Sequence, residues 1–143
     1  MSSALPAFRS NVLDTTDPRG LAEFYRQLLG YQYGKGDEPA PSEASEAADW
    51  VVLHDPAGGI RLAFQGVDEL PASTWPGTDV PQQLHLDFSV PTSDELARQH
   101  DHVLSLGGHV LQDRFNDPDE PLYVFADPAW HPFCIFVLAE DTA

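Results

Sequence analysis

Leu84, Leu86, Phe88 and Val90 alternate strictly with His85, Asp87 and Ser89, which is the period of a strand with one buried face. The alternation predicts a strand over 84–90 whose apolar row faces a helix and whose His-Asp-Ser row faces the other way. Further apolar runs predict strands at 8–13, 31–34, 50–53, 60–66, 109–113, 121–126 and 133–138. Two stretches carry helical spacing instead. In the first, Asp17-Pro18 opens a helix, because the Asp side chain can accept from free N–H groups and Pro has none to leave unpaired. Leu21, Phe24, Tyr25 and Leu28 follow at helical spacing, and Gly30 ends it. In the second, Thr92-x-x-Glu95 is a capping box, Leu96, Val103 and Leu104 form the apolar face, and Gly107-Gly108 ends it.

The order of elements is stated twice. Residues 8–67 run strand, helix, loop, strand, Asp-Pro turn, strand, and residues 83–138 repeat that order. Asp55-Pro56 is answered by Asp127-Pro128 and Phe64 by Phe136, each 72 positions later, while Leu29-Gly30 is answered by Leu106-Gly107 at an offset of 77. The expected organisation is therefore one domain over 1–143, built from module one (8–67), a linker (68–82) and module two (83–138). Residues 36–49 form an acidic, Ala/Pro/Ser-rich loop expected to be mobile, and residues 68–83 form a second loop with three prolines.

At 143 residues, with 42% apolar and 21% charged residues, the chain is a single globular domain that buries roughly 70% of its unfolded surface. Seven basic residues against 23 acidic give a net charge of −16. So negative a surface repels phosphate backbones and anionic lipid, which excludes nucleic acid and membranes as expected partners. The single cysteine, Cys134, rules out an internal disulfide. No run approaches the ~18 apolar residues of a membrane span, and the N-terminal MSSALPAFRS has no secretory pattern. The expected location is cytoplasmic.

Three motifs carry a resemblance: D-P-x-x-L-x-x-F-Y-x-x-L-L-G over Asp17 to Gly30, H-L-D-F over His85 to Phe88, and D-P-x-x-H-P-F-C over Asp127 to Cys134. With the doubled βαβββ order, they resemble the vicinal oxygen chelate superfamily of glyoxalases, bleomycin-resistance proteins and extradiol dioxygenases, in its glyoxalase-like domain branch. The resemblance implies an α+β fold in which two βαβββ modules form incomplete barrels around a cleft. It also implies, in metal-dependent members, ligands on the first and last strand of each module. The first-strand position falls seven residues before the helix start and the last-strand position seven after the Asp of the Asp-Pro turn. Those positions are Ser10, Leu62, His85 and Cys134 here. A shift to Arg9 or Arg61 supplies no better ligand.

A divalent ion needs three or more good donors. Leu62 is none and Ser10 is a poor one, so no tightly held metal is expected; if one is present, His85 and Cys134 are its ligands, with Asp87 on the same strand face. His85 and Asp87 are the candidate catalytic pair, because an imidazole beside a carboxylate can take or give a proton near neutral pH. Cys134 is expected to be a small buried residue rather than a nucleophile, and His100, His102 and His109 to be surface or helix-packing residues. Trp130 stands where the family's Asp-Pro turn has glycine, so the turn is expected to differ and the indole to cover the cleft mouth. Trp50, Phe64, Trp75, Trp130, His131 and Phe136 are the candidate ligand-binding residues, although Trp50, Phe64, Trp75 and Phe136 are core or linker residues first.

The expected function is bleomycin-resistance-like binding or sequestration of a small organic molecule, cationic or aromatic, by a homodimer without a resident cofactor. The alternatives are a divalent-metal-dependent lyase, isomerase or dioxygenase and a ligand-free interaction domain.

Overall fold

The computed structural model describes residues 5–39 and 48–138; residues 1–4, 40–47 and 139–143, including the middle of the acidic loop, lie outside the described residues. The chain separates into two compact units, Met1–Asp68 and Glu69–Ala143.

In unit 1, β1 (Ser10–Thr15) runs parallel to β4 (Arg61–Gly66), while β3 (Trp50–His54) pairs antiparallel with β4 and β2 (Gln32–Tyr33) with β3, giving the order β1-β4-β3-β2. The helix α1 (Pro18–Leu29) begins as its sequence predicts: Asp17 accepts from the Gly20 N–H, Pro18 occupies the first turn, and Gly30 closes the end at φ 70°. Leu21, Phe24 and Tyr25 are buried. Tyr25 stacks on Phe64 with centroids 5.9 Å apart, which identifies the face of the sheet that carries Leu13, Val51, Leu53, Leu62 and Phe64 as the helix-facing side.

One carboxylate ties this helix to β2. Glu23 accepts from Arg26 Nε and Nη2 and from Tyr33 Oη, each at 2.7 Å, and from Gln27 Nε2 at 2.8 Å. The Arg26 guanidinium is the largest cause holding the Glu23 carboxyl down at about 2, and burial is the largest cause pushing the Tyr33 hydroxyl up to about 12.

Unit 2 repeats the plan. β5 (Leu86–Val90) runs parallel to β8 (Pro132–Val137), β7 (Leu122–Ala126) pairs antiparallel with β8, and β6 (His109–Arg114) with β7, in the order β5-β8-β7-β6. Each unit is thus a βαβββ module with an unclosed four-stranded mixed sheet, and the fold is α+β. The helix α2 (Ser93–Ser105) is capped by Thr92, whose side chain accepts from the Glu95 N–H at 3.2 Å. The reciprocal half of the expected capping box is replaced, because the Glu95 carboxylate pairs with Arg98.

Three expectations need correction. Leu104 is 44% exposed while Leu96 and Val103 are fully buried. One residue past Val103 is a turn of about 100° around the helix, so the face is completed by His100, whose ring lies 4.8 Å from that of Tyr123 and 6.4 Å from that of Phe125. Leu84 is 55% exposed and lies before β5; Pro132, level with His85, has no N–H to extend the pairing. The first strand starts and ends two residues later than residues 8–13, because its parallel register with β4 runs from Ser10↔Arg61 to Thr15↔Gly66.

Before β5, Thr74 and Val80 close a loop on themselves: the Thr74 N–H donates to the Val80 carbonyl at 2.8 Å and the Val80 N–H to Thr74 Oγ1 at 2.9 Å. Trp75, half-buried, lies in this loop, followed by a cis bond to Pro76.

Candidate functional site

The sheet of unit 2 has an apolar side and a polar side. Tyr123, Phe125, Phe133 and Phe88 form a connected set of rings toward α2, with Phe125–Phe133 at 5.4 Å and Phe88–Phe133 at 5.8 Å. Alternation then turns Asp87 and Ser89 of β5, and Cys134 and Phe136 of β8, to the opposite side, open at Asp87 and Ser89 but covered at Leu122 and Val124 of β7. The registers Asp87↔Cys134, Ser89↔Phe136, Val124↔Cys134 and Leu122↔Phe136 align them in rows across the sheet.

His85, two residues before Asp87, joins this side. Its Nε2 lies 3.2 Å from Asp87 Oδ1. One ligand atom from each of His85, Asp87 and Cys134 lies within 4.8 Å of the others. His85 and Asp87 are well exposed, with side-chain accessibilities of 43% and 56%, whereas Cys134 is half-buried. Burial, the charge of Asp87, a hydrogen bond with Asp87 and the charge of Glu120 push the Cys134 thiol up to about 11. The thiol is therefore protonated at neutral pH, which does not suit a cysteine nucleophile.

The bulge between Val110 and Gln112 adds residues that the sequence did not single out. Beyond it, Gln112 stands opposite Val124 and Arg114 opposite Leu122, so both share the open side with Cys134 and Phe136. The signal for them is the bulge itself, and nothing in the run His109 to Arg114 announces it.

At the end of the sheet that holds His85, Trp130 adopts φ 69°. Its N–H donates to the Asp127 carbonyl at 2.8 Å, as the Gly58 N–H does to the Asp55 carbonyl at 2.9 Å. The expectation that this turn differs is therefore wrong: the turn is kept, and Trp130 occupies a left-handed conformation that favours glycine. The cost is offset by a coplanar stack on His109, with centroids 4.3 Å apart, and by the fully buried Asp127, which accepts from the Ala129 and His131 N–H groups. His131 thus enters through its backbone, which closes the turn. His109 is three strands from His85, roughly 14 Å at the usual strand spacing, and takes no part in the His85 group.

The remaining candidates belong to unit 1 or to the loop. Phe64 is fully buried under α1, so its ring is core packing. Trp50, 47% exposed, stands opposite Gln65 on the side of the sheet away from α1. Trp75 sits half-buried in the self-closed loop and belongs to none of the strands.

The helix-facing side also corrects the doubled pattern. Leu62 and Phe64 face α1, whereas Cys134 and Phe136 face away from α2, so the repeat between the last strands slips by one residue. The true counterpart of Cys134 is Ala63, and that of Phe64 is Ile135. The first-strand counterpart of His85 remains Ser10, opposite Arg61.

Solved structures share this fold. A glyoxalase/bleomycin resistance protein/dioxygenase family enzyme from Burkholderia phytofirmans superposes at a TM-score of 0.68 with 15% identity, over 92% of this chain and 98% of that one. A hypothetical protein from S. aureus does so at 0.64 with 17% identity, over 94% and 100%. A fosfomycin resistance protein, FosX, from Listeria monocytogenes, in complex with Mn(II) and 1S,2S-dihydroxypropylphosphonic acid, does so at 0.66 with 14% identity, over 99% and 97%. Among curated proteins, no sequence matches at a significant level.

The Mn(II) of FosX poses a test for this chain. Manganese favours an oxygen-rich octahedral shell. The module-two group offers one imidazole, one carboxylate and one thiol. These residues do not fit a manganese-type centre. The match of residues 10–136 to the family model described as glyoxalase-like domain, together with the two βαβββ modules, makes the chain a member of the glyoxalase-like domain family of the vicinal oxygen chelate superfamily.

Proposed function

We propose that this chain binds a small organic molecule on the open side of the module-two sheet, without a tightly held metal, in the manner of a bleomycin-resistance-type binding protein. The observation that carries this reading is the asymmetry of the modules: His85, Asp87 and Cys134 cluster on one face of the sheet, while Ser10 and Ala63 leave the matching positions of module one without ligands. His85 and Asp87 supply hydrogen bonds and a proton-transfer pair, and Phe136 supplies an apolar surface for a planar ligand.

The net charge of −16 supports a cationic or neutral aromatic ligand over an anion, since an acidic field concentrates cations. The protein works as a homodimer in the cytoplasm in this reading. No helix among the described residues is long and apolar enough to cross a membrane.

The test is a small-molecule screen by tryptophan fluorescence on protein purified without a metal-affinity tag, with elemental analysis of the same sample. Saturable binding of cationic or neutral aromatics by metal-free protein supports the proposal; preferential binding of anionic thioesters, phosphates or carboxylates overturns it.

The second reading is a divalent-metal-dependent lyase, isomerase or dioxygenase. The clustering of the His85, Asp87 and Cys134 ligand atoms favours it, and a stoichiometric metal retained through dialysis is its signature.

A further inference from the structure

The side of the unit 1 sheet away from α1 carries a row of polar and aromatic groups of its own. Leu13, Val51, Leu53, Leu62 and Phe64 are buried toward the helix, so alternation turns Asp14 of β1, Gln65 of β4 and Trp50 of β3 to the other side. The registers Asp14↔Gln65 and Trp50↔Gln65 align the three in one row across the sheet. Gln65 and Trp50 are exposed and Asp14 is half-buried. The neighbouring row, Val12, Ala63 and Val52, is covered at Ala63 but open at Val12. We infer that Asp14, Gln65 and Trp50 form a binding site on module one for an arylalkylamine, an aromatic ring joined to an ammonium by a short alkyl chain.

The ligand class follows from spacing and charge. Asp14 and Trp50 stand two strands apart, roughly 10 Å. A ring laid on the indole and an ammonium at the carboxylate span that gap through a short alkyl chain, with the Gln65 side chain between them as a further hydrogen-bond acceptor. A neutral aromatic compound uses the indole alone, and an anion meets both Asp14 and the net charge of −16 with repulsion. Arg61, the cation on the same side of β4, is four residues from Gln65, about 13 Å along the strand. That distance exceeds the screening length of about 8 Å at physiological salt, so Arg61 does not cancel the attraction. The indole is also anchored: the Gly66 N–H donates to the Asp49 carbonyl at 2.7 Å, which ties the residue before Trp50 to β4. A Cβ on residue 66 would stand 3.3 Å from the Asp49 Cα, so glycine permits this close approach. The inference extends the preference for cationic aromatics to a second sheet and does not rest on the module-two face.

The experiment titrates the full chain, isotope-labelled and chelator-treated, with phenethylamine, followed by amide resonances. Neutral phenethyl alcohol and anionic phenylacetate are the controls. The expected result is saturable shift changes in residues 10–15, 50–54 and 61–66, with the alcohol binding at least about threefold weaker than the amine and phenylacetate weaker still. Trp50→Ala weakens phenethylamine binding about fivefold or more, whereas Trp50→Phe, which keeps a ring, retains most of the affinity. Asp14→Asn weakens the amine about threefold and removes its advantage over the alcohol. Unfolding curves confirm that each variant is folded. Shift changes confined to residues 85–89 and 132–137 overturn this inference and leave the module-two proposal standing; changes confined to module one support it and count against that proposal. Equal affinity for amine and alcohol, affinity unchanged in both Trp50→Ala and Asp14→Asn, or no saturable binding of the amine also overturns it.

Discussion

Trp130 lies flat against His109, ring planes 5° apart, on a backbone held at φ 69°. A left-handed conformation costs a bulky residue about 1–2 kcal/mol, and an aromatic stack returns about 0.5–1.5 kcal/mol, so the two nearly cancel. The consequence separates two substitutions. Trp130→Ala loses the stack and keeps the strain, and is expected to destabilise by about 1 kcal/mol. Trp130→Gly loses both and is expected to be more stable than the alanine variant by about 1 kcal/mol. Denaturant unfolding of the two variants checks this, and equal stabilities would show that the turn stores no strain.

The Glu23 cluster predicts an acid-labile link between α1 and β2. Its folded carboxyl is held at about 2, below its ordinary 4.5. The stabilisation is therefore complete above the ordinary value and is lost as pH falls through 4.5 toward 2. Since Glu23 is over a third exposed, solvent screening reduces the contribution to about 1 kcal/mol. Glu23→Gln is expected to cost that amount at pH 7, and the gap between the variant and the parent is expected to narrow below the ordinary 4.5 and to close as pH falls through about 2. A gap independent of pH contradicts this account.

The Cys134 thiol, pushed up to about 11, is expected to alkylate slowly at pH 7. Asp87→Asn removes a nearby charge, so the midpoint of the alkylation pH profile is expected to fall. A profile centred near the ordinary thiol value in the parent protein would show that burial and Asp87 do not act on it as described.

Much of the fold was legible because local chemistry and global order agree. Asp17-Pro18, Gly30 and Thr92 announce helix ends that the structure keeps, and the Asp-Pro turns mark the doubling. The phase of the strands was less legible. Matching Phe64 to Phe136 assumes that both modules keep step, but Phe64 packs on Tyr25 while Phe136 shares the open face with Cys134. A one-residue slip reverses a strand's faces, and no single residue declares it. Similarly, the bulge after Val110 brings Gln112 and Arg114 to the open face against the simple alternation. His85 and Cys134 were singled out by the family resemblance and Asp87 by its place on the same strand face, whereas the tolerance of Trp130 for the glycine turn depended on His109, a partner distant in sequence.

Among the described residues β1, β2, β5 and β6 stand at the sheet edges, and because exposed edges and apolar faces favour pairing, a twofold assembly is expected. Sedimentation at micromolar concentration is expected to give twice the chain mass of 15.7 kDa. A mass equal to one chain contradicts the dimer.

The most direct test of small-molecule binding without a resident metal is a nuclear magnetic resonance map of dialysed, chelator-treated protein titrated with cationic and neutral aromatic compounds. The account predicts amide shift changes concentrated at residues 85–89 and 132–137, saturating with ligand and unchanged by chelator. Shifts that appear only after a divalent metal is restored, or that leave these two strands unmoved, would contradict it.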